Sequence, residues 1–407
     1  MNTFTAGGLG KPAEGTTLAT PRYPAMPHLF SLPLLFSLVL AVAMPARIGA
    51  AAPQIRPGQP WFDTSGDVIN AHGYSVLHHE GSYYWYGSWK IPGKTEAEKN
   101  EAGVSCYVSD DLVTWRNLGL VLSVTAAGMH PDIADAGILD RPKIIRVPST
   151  GRFVMHFKLY PPRAREGTTG TDVAYTGVAV ADRPEGPFVY HGKFLGADSP
   201  NGSGDFALFQ DETGTAFHVA VRKPDKQLVF ARLTSDGLGP AELYRPMPGV
   251  ERATEAPALF RHDGRVYLLA SGSTGWKPNT ARLYVADRID GPYRALGNPC
   301  RGVNPVHGYD AALTFGGQST YVLPMPGRSD AWIAMFDVWK PEDPVNAAYL
   351  WLPLVFEGNN AVIRWTDAWE PGLAPRARLV TAYPRRPAAP APSRPRTPSW
   401  SGAGAGS

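Results

Sequence analysis

The sequence predicts an all-β fold, a five-bladed β-propeller, and three observations carry that expectation. A phrase of turn plus strand recurs along the chain, convincing amphipathic helical stretches are missing between its copies, and the composition favours short strands joined by many turns. The phrase is a glycine turn followed by an aromatic, alternating strand: HHEGSYYWYGSW (78–89), STGRFVMHFKLY (149–160), DETGTAFHVAVR (211–222) and RHDGRVYLLASG (261–272), with GRSDAWIAMFDVW (327–339) as a fifth, degenerate copy. Second-half echoes lie between them: SDDLVTWRNLGLVL (109–122), ADRPEGPFVYHGKFLG (181–196) and ADRIDGPYRALGNP (286–299). The last two share the wording AD-R-x-x-GP-[FY] almost letter for letter. A small sheet cannot bury both faces alone, and stacking such sheets around an axis buries them while leaving only short edges. Five copies predict five blades over residues 52–378. A β-sandwich of similar hairpins is the alternative, and self-similarity on the scale of a repeat argues against it.

Hydrophobic residues make up 43% of the 407 and charged residues 18%, so the body can bury a core and is not a disordered chain. A formal net charge of +3 is too small to point to nucleic acid. Much of the excess comes from Arg376, Arg378, Arg385, Arg386, Arg394 and Arg396, outside the repeats. The closing stretch 379–407 is rich in Pro, Ala and Ser and reads as a disordered tail. At the other end, LFSLPLLFSLVLAVAM (29–44) is followed by small residues around Ala50 and Ala51. A hydrophobic run of that length before small residues reads as a secretory signal peptide within a leader of 1–51. It is short for a membrane span and contains Pro33, so a retained anchor is the second reading. The expected location is therefore extracellular or periplasmic, with no stable membrane insertion. Cys106 and Cys300 are the only cysteines; in an exported protein they are candidates for pairing, with nothing in their spacing to decide it.

In a propeller the innermost strand of each blade lines a central channel, so one residue per blade can converge on one pocket. Each unit here opens with a polar residue before an apolar run: His72, Asp140, Asp205, Glu255 and Gln318. One such residue means little, but five at equivalent places in five repeats point at one axis. Cleavage of a glycosidic bond needs a protonated carboxyl to give a proton to the leaving oxygen, and a group on the opposite face of the sugar. Glu255, before APALF, fits the acid, since desolvation raises a carboxyl pKa; Asp205 fits the neighbour whose charge keeps it protonated. A salt bridge closing a blade is the plain alternative for Glu255, and a turn residue for Asp205. Tyr86, Trp89 and Trp276 are the aromatics selected for stacking on a sugar, with core packing the alternative for Tyr86. Asn279 is placed either on a sugar hydroxyl or in its own loop. His72 is assigned to ordering water or holding a blade junction. His78 and His79 show no metal-ligand spacing, and neither a metal nor a cofactor is expected.

These motifs resemble glycoside hydrolase family 43, and most closely its exo-β-1,3-galactanase-like branch. The resemblance is carried by INAHGYSVLHHEGSYYWYG (69–87), EAPALFRHDGRVYLLASGSTGWKPN (255–279), QSTYVLPMPG (318–327) and YLWLPLVF (349–356), and it covers nearly the whole propeller. It implies an inverting hydrolase with Glu255 as general acid and Asp205 as the aspartate that tunes it. Most members carry an aspartate base at the start of the first blade, where this chain has Asn70-Ala71-His72. The branch is thought to use a glutamine of the last blade instead, here Gln318. It also shows a glutamate before Arg-Pro-Lys, in contact with the sugar; this chain has Asp140-Arg141-Pro142-Lys143, one methylene shorter. The expected activity is release of galactose from β-1,3-galactan by a monomer acting on a polysaccharide or oligosaccharide. An arabinofuranosidase or xylosidase is the alternative within the family, and a lectin-like propeller that binds glycans without cleaving them is the alternative outside catalysis.

Overall fold

The computed structural model describes residues 52–373, apart from 99–100, 125–129, 134–137, 161–172 and 359. The expected leader and the expected tail lie outside the described residues. Each recurring phrase forms a hairpin. In two of them a two-residue turn, Glu80-Gly81 and Asp263-Gly264, has positive φ at both positions (49° and 88°; 45° and 72°). That backbone twist matches the right-handed twist of the flanking strands and favours a tight antiparallel return.

Four antiparallel strands make each of the first four blades. Blade 1 holds β1 (His72–His79), β2 (Ser82–Lys90), β3 (Glu101–Ser109) and β4 (Arg116–Ser123). Blade 2 holds β5 (Ile138–Arg146), β6 (Phe153–Tyr160), β7 (Tyr175–Ala181) and β8 (Val189–Phe194). Blade 3 holds β9 (Ser203–Gln210), β10 (Ala216–Arg222), β11 (Gln227–Arg232) and β12 (Arg245–Pro246). Blade 4 holds β13 (Thr254–His262), β14 (Arg265–Gly272), β15 (Arg282–Ala286) and β16 (Arg294–Gly297). After β17 (Cys300–Arg301) comes a small hairpin of β18 (Val303–Asn304) and β19 (Tyr309–Asp310). Blade 5 follows with β20 (Gln318–Pro324), β21 (Ala331–Val338), β22 (Ala348–Glu357) and β23 (Asn360–Arg364), and β17 joins its outer edge in parallel with β23. The first strands touch in the cyclic order β1, β5, β9, β13, β20 and back to β1, which closes the five-bladed propeller.

The core lies between blades, as expected for sheets that bury their faces on one another. Separate apolar clusters fill the interfaces of blades 1 and 2, 2 and 3, 3 and 4, and 4 and 5. The seam between blades 5 and 1 is the most aromatic. Trp85, Trp115 and Trp351 are completely buried there, with ring centroids 4.7 Å apart for Trp85 and Trp351. An antiparallel bridge from Ile55 to Trp369 ties the two ends of the described chain together beside it. At the junction of blades 2 and 3 two histidines are buried with rings 5.8 Å apart. His156 Nε2 meets the Gly237 carbonyl and His218 Nδ1 meets the Tyr244 hydroxyl, both at 2.8 Å, and neither histidine's second nitrogen has a hydrogen-bond partner.

The cysteines are not paired: Cys106 is buried between blades 1 and 2 and Cys300 between blades 4 and 5, each as a small apolar side chain. No helix among the described residues is long and apolar enough to cross a membrane.

Candidate active site

All five first strands break their ladder at the same end. The register slips between His72 and Ser75, Asp140 and Lys143, Ser203 and Phe206, Glu255 and Ala258, and Ser319 and Tyr321. The residue after the polar one is left-handed in three blades: Gly73 (φ 62°), Arg141 (φ 52°) and Ala256 (φ 53°). Left-handed backbone costs a side-chain-bearing residue about 1–2 kcal/mol, and a bulge re-aims the side chains next to it. That cost is borne where His72, Asp140, Asp205, Glu255 and Gln318 gather around the channel. Gly73 also meets the need for a missing side chain, since a Cβ there would lie 2.9 Å from Arg141 Cγ.

Arg141 is the centre of the site. From blade 2 its Nε pairs with Asp205 of blade 3 at 2.9 Å, while its Nη2 donates to Gln318 Oε1 of blade 5 and its guanidinium lies 5.3 Å from the centroid of the Trp339 ring. Lys143 is buried beneath it, donating to the carbonyls of Gly73 (2.8 Å) and Tyr74 (2.6 Å). These two side chains, the lysine with its pKa lowered to about 7 by burial and then by the Arg141 charge, bond to blades 1, 3 and 5 and so cross the axis as a floor to the site.

Gln318 joins the floor to the acid. Its Nε2 donates to Glu255 Oε1 at 3.0 Å and to Ser271 Oγ at 3.2 Å, and its Oε1 accepts from Trp339 Nε1 at 2.9 Å. Glu255 is half-buried on β13. Burial, and then the negative charge of Asp205, raise its pKa above the usual carboxyl value. Asp205 moves the other way: burial opposes its charge, but Arg141 and Lys158 outweigh that and hold its pKa low. One carboxyl is thus biased toward holding a proton and its neighbour toward ionisation, the division of labour that acid catalysis of glycoside cleavage needs. Asp205→Asn is expected to move the basic limb of the pH–activity profile to lower pH, because the charge that raises Glu255 is gone. A basic limb that stays in place in kcat/KM against pH would remove Asp205 from that role.

The remaining expected residues divide. Asp140 is half-buried and accepts from Ser88 Oγ at 3.2 Å and from the Arg141 backbone N–H at 2.8 Å. Burial works against its charge, yet Lys90, Arg141 and Lys158 lower its pKa. His72 is fully buried, stacked 5.3 Å from Tyr349, and burial followed by the Lys90 charge lowers its pKa to about 3. It is a neutral junction residue between blades 1 and 5, not a mouth residue. Trp89 is half-buried next to Ser88 on β2, and Trp276 is 51% exposed on the loop after β14.

Two assignments need correcting. Tyr86 has no exposed surface and does not stack on a ligand: it packs between blades 1 and 2 and its hydroxyl donates to the Pro184 carbonyl. Asn279 spends its amide on its own loop, donating to Gly272 O (2.9 Å) and Thr274 Oγ1 (2.7 Å) and accepting from Gly272 N (2.8 Å). It clamps the Trp276 loop and has no donor left for a sugar hydroxyl.

Residues that the sequence reading passed over sit opposite the ones it named. The register pairs His72 with Ser88, Asp140 with Lys158, Glu255 with Ser271 and Gln318 with Asp337. Asp337 is fully buried, its Oδ2 accepts from Gly73 N at 2.9 Å, and burial pushes its pKa up to about 7. The signal for all four was the hairpin register itself. A cavity of about 430 Å³ opens on blade 4, its wall including Ser273, Thr280, Arg282 and Asn298. Ser273, on that wall, is close enough to Glu255 to pull its pKa down, so the cavity adjoins the acid without containing it.

The arrangement matches a known family. The sequence profile of glycosyl hydrolases family 43 matches residues 69–322. Among solved structures, a family 43 β-1,3-galactosidase with galactodeoxynojirimycin is similar at 34% identity and a TM-score of 0.69, over 78% of this chain and 100% of that one. An exo-β-1,3-galactanase from Phanerochaete chrysosporium with β-1,3-galactotriose is similar at 28% identity and a TM-score of 0.66, over 78% of this chain and 68% of that one. A Clostridium thermocellum exo-β-1,3-galactanase is similar at 28% identity and a TM-score of 0.65, over 77% and 66% of the two chains. No curated protein matches the sequence. With its profile spanning most of the propeller and a solved relative covered from end to end, this chain belongs to glycosyl hydrolase family 43.

Proposed function

We propose that this chain is an exported, inverting and exo-acting hydrolase that releases galactose from β-1,3-galactan. The observation that carries the reading is the Glu255–Asp205 pair, one carboxyl raised and one lowered, held over a floor of Arg141. Glu255 gives its proton to the glycosidic oxygen as the bond to the anomeric carbon breaks, while water attacks from the opposite face. A pocket with a closed floor takes the end of a chain and not its middle, which supports exo action. The choice of galactose is supported by relatives of about 30% identity that are named for β-1,3-galactan or its galactosidase activity.

Proton NMR of the reaction on β-1,3-galactan tests the whole reading. Galactose appearing first as the α-anomer is the expected result. Release from xylosides or arabinofuranosides alone would move the substrate within the family, and a β-anomer would replace inversion with retention. Sugar binding without turnover on any substrate would make the chain a lectin-like propeller. Export is checked separately by whether the mature protein, in its native host, begins near residue 51.

A further inference from the structure

We propose that the sugar next to the galactose released carries a negative charge, a carboxylate or a sulfate ester, and that Lys226 receives it on the rim of blades 3 and 4. This rests on the exo-acting galactan reading above and narrows the class of polymer that the site takes. Three segments of that rim, 222–226, 251–252 and 273–282, hold Arg222, Lys223, Lys226, Arg252, Lys277 and Arg282 against two acids, Asp225 and Glu251. Both acids are already paired. Asp225 lies 2.7 Å from Arg222 and 3.3 Å from Arg252, and Glu251 lies 3.7 Å from Arg282. The Lys223 ammonium stands over Tyr160, 5.3 Å from the ring centroid. Lys226 and Lys277 are exposed and make no ion pair within 4.0 Å among the described residues. Two positive charges held at one rim repel each other and help a neutral chain little, whereas an anionic chain gains steering and contact from both.

The position of Lys226 is fixed from its backbone outward. Its φ is left-handed at 53°, its N–H donates to the Arg222 carbonyl, and its carbonyl accepts from Ala253 N, both at 2.9 Å. The Ala253 carbonyl in turn accepts from Ser273 N at 3.0 Å, so main-chain bonds join the three segments. From this base the Lys226 ammonium donates to Ser273 Oγ at 3.1 Å. Ser273 is also the residue that pulls down the pKa of Glu255, so one hydroxyl stands between the cation and the acid.

The strand register says on which side of the acid the cation lies. Glu255 pairs with Ser271, and Thr254 pairs with Gly272, the last residue of β14. Ser273 therefore stands nearer the mouth than Glu255. Under the exo reading the departing galactose occupies the axis side, above Arg141, and the glycosidic oxygen meets Glu255. The sugar on the leaving side comes next toward the mouth and passes Ser273 and Lys226. An ammonium has three N–H donors and Ser273 takes one, which leaves two for the oxygens of a carboxylate or sulfate. The cavity on blade 4 opens from Ser273 toward Thr280 and Asn298 and gives the body of that sugar room.

The test compares three disaccharides as methyl glycosides: galactose β-1,3-linked to galactose, to galacturonic acid and to 6-sulfogalactose. The full chain is expected to show a kcat/KM about 5–10-fold higher on one of the charged compounds than on the neutral one at low ionic strength. That advantage should shrink to about twofold in 0.5 M sodium chloride, as expected of contacts at an exposed rim. Preference for the galacturonide identifies a uronic acid, and preference for the sulfate identifies a sulfated galactan. Lys226→Gln should bring the charged-to-neutral ratio to about one, Lys226→Arg should keep it, and Lys277→Gln should lower it in part. Arg116 is exposed at the start of β4, at the end of blade 1 away from the mouth. Arg116→Gln should leave the ratio as it is, and an equal fall there would make the effect one of net charge and overturn the site. A ratio of one or less in the wild type, with the neutral disaccharide cleaved, would overturn the inference and leave the galactan reading standing. If the wild type cleaves only the matching arabinofuranosyl or xylosyl disaccharides, the galactan reading falls, and the charged-to-neutral ratio on those compounds decides the role of Lys226. Silence on every disaccharide would overturn both.

Discussion

Glu255→Gln is expected to lower kcat on β-1,3-galactan by about 10²–10⁴-fold while leaving galactose affinity within a few-fold. Glu255 Oε1 accepts a hydrogen bond from Gln318 Nε2, and the oxygen of a glutamine side chain accepts the same bond. The pocket wall therefore survives the substitution. What is lost is the proton that burial and Asp205 keep on the carboxyl. The loss falls on the transition state, where the leaving oxygen gains charge, and not on the bound ground state. Steady-state kinetics and calorimetric sugar binding, measured on the same preparation, separate the two. Unchanged turnover in the variant would take the acid role from Glu255, and a fall in affinity matching the fall in kcat/KM would make it a binding residue.

The fold is expected to lose stability steeply as the pH falls from 6.5 toward 4. His72, His156 and His218 are buried and neutral, with pKa values lowered by burial to about 3, to about 4 and well below 6.5. Below pH 6.5 the unfolded chain binds a proton at each of them and the folded chain does not, so acid favours unfolding. Each contributes about 1.4 kcal/mol per pH unit, or about 4 kcal/mol per unit for the three. Asp337 opposes them, because its pKa is raised to about 7 and the folded form holds its proton where the unfolded form has released it. It returns about 1.4 kcal/mol per unit as the pH falls over the same window, and Glu255 acts in the same direction. A net loss of about 1–3 kcal/mol per pH unit remains, large against a typical total of 5–15 kcal/mol. Denaturant midpoints at pH 7, 6, 5 and 4 measure it. A midpoint that does not fall below pH 6 would mean that these histidines take up protons in the folded state.

Much of the architecture was legible because blades repeat: five phrases, each followed by echoes, announce five sheets before any register is known. The ring of polar residues at the start of each unit was legible for the same reason, and Glu255, Asp205 and Gln318 do meet. What the sequence could not show is where the ladders slip. Tyr86 was selected for stacking with core packing as the alternative, and the alternative holds, because it lies on the face of β2 that packs against blade 2. Arg141 was hidden in plain view inside Asp-Arg-Pro-Lys, where an acidic residue drew the attention. Its importance comes from reaching blades 3 and 5 at once, a long-range fact that no local spacing encodes. Asn279 illustrates the opposite case: a polar residue in a loop beside a pocket is recruited by the loop's own backbone.

The plugged axis has a consequence for how a long polymer is consumed. Arg141 and Lys143 leave a freed monosaccharide no back door, so it departs by the mouth through which the polymer entered. The shortened chain stands in that mouth and has to let go first. Digestion under the proposed activity is then distributive: every molecule in the population is trimmed by one unit per encounter, and average length declines evenly instead of a few chains vanishing while the rest stay whole.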